Sequence, residues 1–171
     1  MILPDLNELL EYKNPAVLNL YNQNHPNNRW TAEEAFEQML KYLWLSAKHV
    51  LESKGKAGTE NFPNQVFITK SMRELDHMWH EFILFTEDYT NFCQKYFGQY
   101  MHHLPSVFDD VPVPREIMEH EIEIFLPYIY SNLGEKTLRI WFATYLNGEA
   151  LELWTDFTCV VENTSANLIL A

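Results

Sequence analysis

Apolar residues recur at three- and four-residue steps through most of this chain, the spacing that aligns one face of an α-helix. The clearest case is "TAEEAFEQMLKYLWLSAKHVLESKG", where Phe36, Met39, Leu40, Leu43, Trp44, Ala47, Val50 and Leu51 form one stripe. Thr31 and Glu34 have capping-box spacing, and Gly55 stands where a C′ residue would close the helix. Upstream, Asn14 followed by Pro15 predicts an N-cap and first turn for "NPAVLNLYNQ", and "NQNHPNNR" reads as a polar loop. Downstream, "KGKAGTENFPNQ" reads as the main loop. "VFIT" at 66–69 is a short extended piece with no evident partner strand.

The next stretch, "LDHMWHEFILFTEDYTNFCQKYFGQYMHHLP", divides into two helices at about 71–85 and 87–97. Thr86 is the expected internal N-cap, Glu87 and Asp88 suit the positive end of the second helix, and Gly98 ends it. Folded back as an antiparallel pair, with a rise of about 1.5 Å per residue, they carry "QYMHHLP" past the N-terminal half of the first helix. "PSVFDDVPVPRE" reads as a connector. "EIMEHEIEIFLPYIYSNLG" is a helix expected to kink at Pro127 and end at Gly134. "EKTLRIWFATYLNG" and "EALELWTDFTCVVE" are read as two more helices. The expected architecture is all-α: one domain over residues 1–171, a bundle of about six helices around a central antiparallel helical hairpin.

Composition agrees and narrows the partners. An apolar fraction of 47% and an aromatic fraction of 15% in 171 residues call for a substantial core. Twelve Lys and Arg against twenty-four Asp and Glu leave a formal charge of -12, which argues against nucleic acid and anionic membrane surfaces as ligands. Cationic partners, or simple solubility, remain. The two cysteines, Cys93 and Cys159, are expected to be free thiols. "MILPDLNELLEYK" lacks the basic and apolar regions of a secretory signal, and no apolar run is long enough to span a bilayer. The expected location is cytoplasmic, with secretion as an effector the alternative.

The candidate chemistry lies in the stretch from Leu75 to Pro105, which holds four of the seven histidines. Asp76 and His80 are spaced i, i+4 and share a helical face. His102 and His103 return on the following segment, and one of the two is expected to close on that face. A carboxylate with two imidazoles suits zinc or iron. His77 belongs to a neighbouring face. A metal-free polar cluster explains the same residues, because an imidazole paired with Asp76 satisfies both groups. Trp79, Tyr89 and the other rings nearby have the spacing of core. No HExxH occurs, since Leu84 stands where the second zinc-binding histidine would be. Cys93 reads as a buried, inert thiol, and its pairing with His80 or His102 as a nucleophile lacks an oxyanion motif. His25 and His49 have no partner the sequence can name, and His120 fits a solvated helix face.

The same stretch resembles the bacterial glycine-rich domain-containing protein-like family, related to the N-terminal module of plant glycine-rich domain proteins. The resemblance rests on Asp76-x-x-Trp79-His80, on Tyr89-x-x-Phe92-Cys93 and on the "FG" before "HH", with "KYLWLSAKH" fitting more loosely. It implies a helical module in which Asp76, Trp79, His80, Cys93, His102 and His103 form one locale, and it implies no particular reaction. The glycine-rich tract of the plant proteins has no counterpart among five unclustered glycines. The leading expectation is therefore a binding or interaction module, acting on a protein partner or as a homodimer, with a structural His/Asp cluster. The alternative is a metalloprotein, a hydrolase or an oxygen-using enzyme, built on the Asp/His site.

Overall fold

The structure is a computed structural model and describes residues 1–56, 61–105, 115–148 and 157–161. Its helices are α1 (Leu6–Leu10), α2 (Pro15–Asn24), α3 (Ala32–Lys56), α4 (Arg73–Leu84), α5 (Thr86–Phe97), α6 (Arg115–Trp141) and α7 (Ala143–Leu146). A single 3-10 turn at Lys70–Met72 leads into α4. Two short strands, β1 (Met101–Pro105) and β2 (Phe157–Val161), pair antiparallel, with His103 opposite Cys159. The described residues are thus mostly helical, with one small β pairing among them.

The helices begin where the local chemistry predicts. Asn14 accepts from the backbone amides of Ala16 and Val17, with Pro15 in the first turn of α2. Thr31 and Glu34 exchange their side-chain and backbone bonds at the head of α3. Asp5 caps α1, a helix too short for apolar periodicity to announce. Gly98 closes α5 in the left-handed region at φ 70°, which glycine enters without a Cβ penalty.

Two termini differ from expectation. Gly55 lies inside the last turn of α3, which runs to Lys56. The junction of α4 and α5 falls at Phe85, with φ -85° and ψ 66°, and Thr86 is the first residue of α5. A third break falls where expected: Pro127 sits within helical backbone, and α6 is interrupted at Gly134, where φ 78° and ψ 172° leave the helix altogether. A proline inside a helix removes one hydrogen bond, whereas glycine admits backbone angles that end the helical path.

The C-terminal reading needs a larger correction. "FTCVV" is strand β2, paired with β1, where a helix was expected. Its β-branched and apolar residues suit a pleated ladder, but without the partner edge they look equally apolar on a helix. The remainder of that predicted helix, at 149–156, lies outside the described residues, as do the connector at 106–114 and the tail after 161.

α3 is the axis of the core. It buries Ala35, Phe36, Met39, Leu40, Tyr42, Leu43 and Leu45, and α1, α2, α4 and α6 pack around it. α4 turns Leu75, Met78, Trp79 and Phe82 inward. α4 and α5 fold back on each other across Phe85, bringing Phe82 against Tyr89 and Phe92. The N-terminus is fastened to this frame by Ile2 N–H donating to Phe97 O at 2.9 Å and by Trp44 Nε1 donating to Pro4 O at 2.9 Å. Among the described residues, no helix is long and apolar enough to cross a membrane.

Candidate metal centre

Asp76 and His80 share one face of α4, as their spacing requires, and β1 brings His103 to them. His103 Nε2 lies 2.9 Å from Asp76 Oδ1, and His80 Nδ1 lies 3.6 Å from Asp76 Oδ2. The His80 and His103 rings stack at 4.6 Å between centroids and 6° between planes. One donor atom from each of the three residues falls within 4.8 Å of the other two. Burial is graded across the cluster. The side chains of Asp76 and His103 are 1% and 2% exposed, while that of His80 is 41% exposed. The cluster is therefore closed on the core side and open on the side of His80.

Its geometry is set from behind by Trp79. That ring is fully buried, packs on His103 with centroids 4.0 Å apart and planes tilted by 31°, and donates through Nε1 to Tyr89 Oη at 2.8 Å. Tyr89 Oη in turn donates to Met101 O at 2.6 Å, so α4, α5 and β1 are joined by one chain of hydrogen bonds. Met101 and His103 are two residues apart on a strand and face the same way, with Met101 fully buried.

The same alternation turns His102 aside. Its ring packs on Tyr100 at 4.7 Å, on the other face of the strand. Of the two adjacent histidines, one joins Asp76 and His80, as expected, and it is His103. Cys93 is also separate. It is buried against Tyr89 and the Met101 backbone, and burial pushes its thiol up to about 11, so it is neutral and unreactive at ordinary pH. His77 lies on the neighbouring face of α4, its ring stacked on that of His25 at 4.5 Å.

Sequence reasoning missed His25 and the loop around it. "NHPNNR" clasps α4: His25 Nε2 sits 3.0 Å from Glu81 Oε1, Asn28 Nδ2 lies 3.3 Å from His77 Nδ1, and Arg29 grips Glu74 through Nε and Nη2 at 2.9 Å each. One signal was present in α4 itself. "DHMWHE" repeats the carboxylate–imidazole pair at i, i+4, once as Asp76 with His80 and again as His77 with Glu81. His49, also without a partner in the sequence, stacks on Phe62 and lies 2.7 Å from Pro63 O.

Burial biases three of these imidazoles towards the neutral form. Burial lowers the pKa of His80, aided by the charge of His103 and opposed by Asp76. Burial also lowers His77, aided by His25. Burial lowers His49, against its bond to Pro63. A histidine whose folded pKa is depressed binds its proton more readily in the unfolded chain. Its contribution to stability is therefore present above the unfolded value of about 6.5 and is lost as pH falls from there towards the folded value. Three such groups act together. Stability measured by urea unfolding is expected to decline steadily as pH drops from about 7 to 5, before any carboxylate with an ordinary pKa of about 4 titrates. A flat profile over that range would contradict the burial assigned to these rings.

The fold and site define a helical protein with a buried carboxylate shared by two imidazoles. The model of a family described as UCP032817-like matches residues 59–112, a stretch that holds Asp76, His80 and His103. No curated protein matches the chain, and no solved structure does.

Proposed function

We propose that this chain is a metal-binding helical module in which Asp76, His80 and His103 hold one divalent first-row ion, zinc or iron. The spacing of the donors carries this reading. Around an ion with ligands at 2.0–2.2 Å, tetrahedral donors lie about 3.4 Å apart, and the two contacts of Asp76, at 2.9 and 3.6 Å, bracket that value. The ion would take the place of the proton now between Asp76 and His103. A neutral His80, which its burial favours, is the form that ligates. Three protein ligands with the exposed side at His80 leave room for water or a substrate, the arrangement that Lewis-acid or hydrolytic chemistry requires.

A second reading draws on the 2.9 Å contact itself. A direct His103–Asp76 bond satisfies the buried carboxylate without an ion, and the domain is then an interaction module for a protein partner or a second copy of itself. Under either reading we take the helical stretch around Asp76-x-x-Trp79-His80 as kin to the glycine-rich domain-containing protein-like module.

Elemental analysis of protein purified without chelator or nickel separates the two. Metal binding predicts about one zinc or iron per chain, lost in His80→Ala while circular dichroism stays unchanged. His80 is the variant of choice because its half-exposed side chain contributes little to packing. A protein free of metal, and still free after dialysis against zinc and ferrous iron, would leave the interaction module.

A further inference from the structure

We infer that the cleft between the start of α3 and the end of α6 binds a small zwitterion, an α-amino acid with a short side chain. The cleft has a volume of about 140 Å3 and is lined by Trp30, Glu34, Glu37, Gln38, Lys136 and Ile140. It shares no residue with the Asp76 cluster, so the inference does not depend on a metal there.

The base of the cleft is a buried amide. Gln38 is 4% exposed, and its Oε1 accepts from the indole Nε1–H of the fully buried Trp141 at 3.0 Å. An indole nitrogen only donates, so this bond fixes which end of the amide faces Trp141 and leaves the Nε2 donors at the other end. Nε2 meets no acceptor among the described residues, and Gln38 opens onto the cleft. A buried amide donor ordinarily has a partner. Here the place for one is the cleft itself.

The walls carry charge of both signs. Lys136 is exposed on α6 and forms no ion pair among the described residues. Glu37 binds Lys41 through Oε1, and Glu34 accepts from the Thr31 amide through Oε2, so each keeps its second oxygen. A neutral guest would cover these charges without compensating them, and a guest of one sign would meet its own sign on one wall. A zwitterion answers both. Its carboxylate takes the Gln38 donors and the Lys136 ammonium, and its own ammonium takes Glu34 and Glu37. Trp30 and Ile140 supply apolar surface for a short side chain. Size agrees: a cavity of roughly 150 Å3 holds a benzene-sized molecule, the bulk of a small amino acid and well below that of a nucleotide.

NMR titration of the isotope-labelled full chain with glycine, L-alanine, L-serine and L-valine tests this. At least one is expected to saturate with a Kd below about 1 mM, moving the Trp30 indole and Gln38 side-chain amide signals together. The matching amine and the matching carboxylate, each lacking one of the two charges, should bind about tenfold more weakly or worse. Lys136→Met, a change to an exposed side chain, should weaken binding about tenfold with the fold unchanged. Gln38→Glu keeps an acceptor for Trp141 and removes the donors, so it should abolish binding; if that variant folds poorly, Lys136→Met still decides. The inference is overturned if no amino acid of the set saturates, if the amine or the carboxylate alone binds as tightly, or if Lys136→Met leaves the affinity untouched.

Discussion

Trp79→Ala is expected to destabilise the protein by roughly 3–5 kcal/mol, the range for removing a large buried aromatic, and to disperse the Asp76 cluster. The indole is fully buried, touches Tyr42 at 5.9 Å and His103 at 4.0 Å between centroids, and donates to Tyr89. Without it, His103 loses the surface that sets its plane, and Tyr89 Oη loses one of its partners. Trp79→Phe separates packing from hydrogen bonding. It keeps a ring against His103 and deletes the N–H, so the loss should be about 1–2 kcal/mol and metal should be retained. Urea unfolding with elemental analysis of both variants gives the comparison. Equal losses of stability and of metal in the two would show that the hydrogen-bond chain through Tyr89, not the indole surface, holds the site.

The second large effect belongs to Arg29. Glu74 is 0% exposed, and the Arg29 guanidinium binds both of its oxygens as well as Ser71 O, all at 2.9 Å. Burial alone would raise the carboxyl, but the hydrogen bonds and charge of Arg29 outweigh it and hold Glu74 below the usual range. Arg29→Met leaves that carboxylate in the core with only the longer contact to Arg73 Nε, at 3.8 Å, as counter-charge, and breaking a buried pair typically costs about 3–5 kcal/mol. Because the Arg29 side chain is itself about half exposed, the expected loss is near the lower bound, about 3 kcal/mol. Glu74→Gln in the Arg29→Met background removes the stranded charge and should recover part of the loss. A double-mutant cycle measures the coupling. Purely additive effects would mean that Arg29 acts on Ser71 and the loop, not on Glu74. The sign with pH is fixed by the lowered pKa of Glu74. Its contribution is present above the unfolded carboxyl value of about 4.3 and disappears as pH falls below it.

Both effects arise where the loop 25–30 and the strand β1 meet α4, and neither contact is visible in one dimension. Helices α2 and α3 were readable because their signals are local: Asn14 before Pro15, Thr31 three residues before Glu34, and an apolar stripe of regular period. Gly98 was readable for the same reason. The terminus at Gly55 was misjudged because glycine permits a break without requiring one. α1 was missed because five residues are too few for a period to emerge. The residues of β2 read equally as helix because a short apolar run is ambiguous until its hydrogen-bonding partner is known.

Within the site, sequence alone determined the Asp76–His80 pair, since four residues on a helix always share a face, and by the same rule it held the His77–Glu81 pair. Tertiary structure decided the rest. Strand alternation selected His103 and turned His102 towards Tyr100. The clasp of the loop on α4 delivered His25 to Glu81 and Arg29 to Glu74, across 56 and 45 residues of chain. Side chains within a turn of helix are placed by backbone periodicity. Partners so far apart meet only when the intervening elements pack, and the positions that packing selects carry no periodic mark.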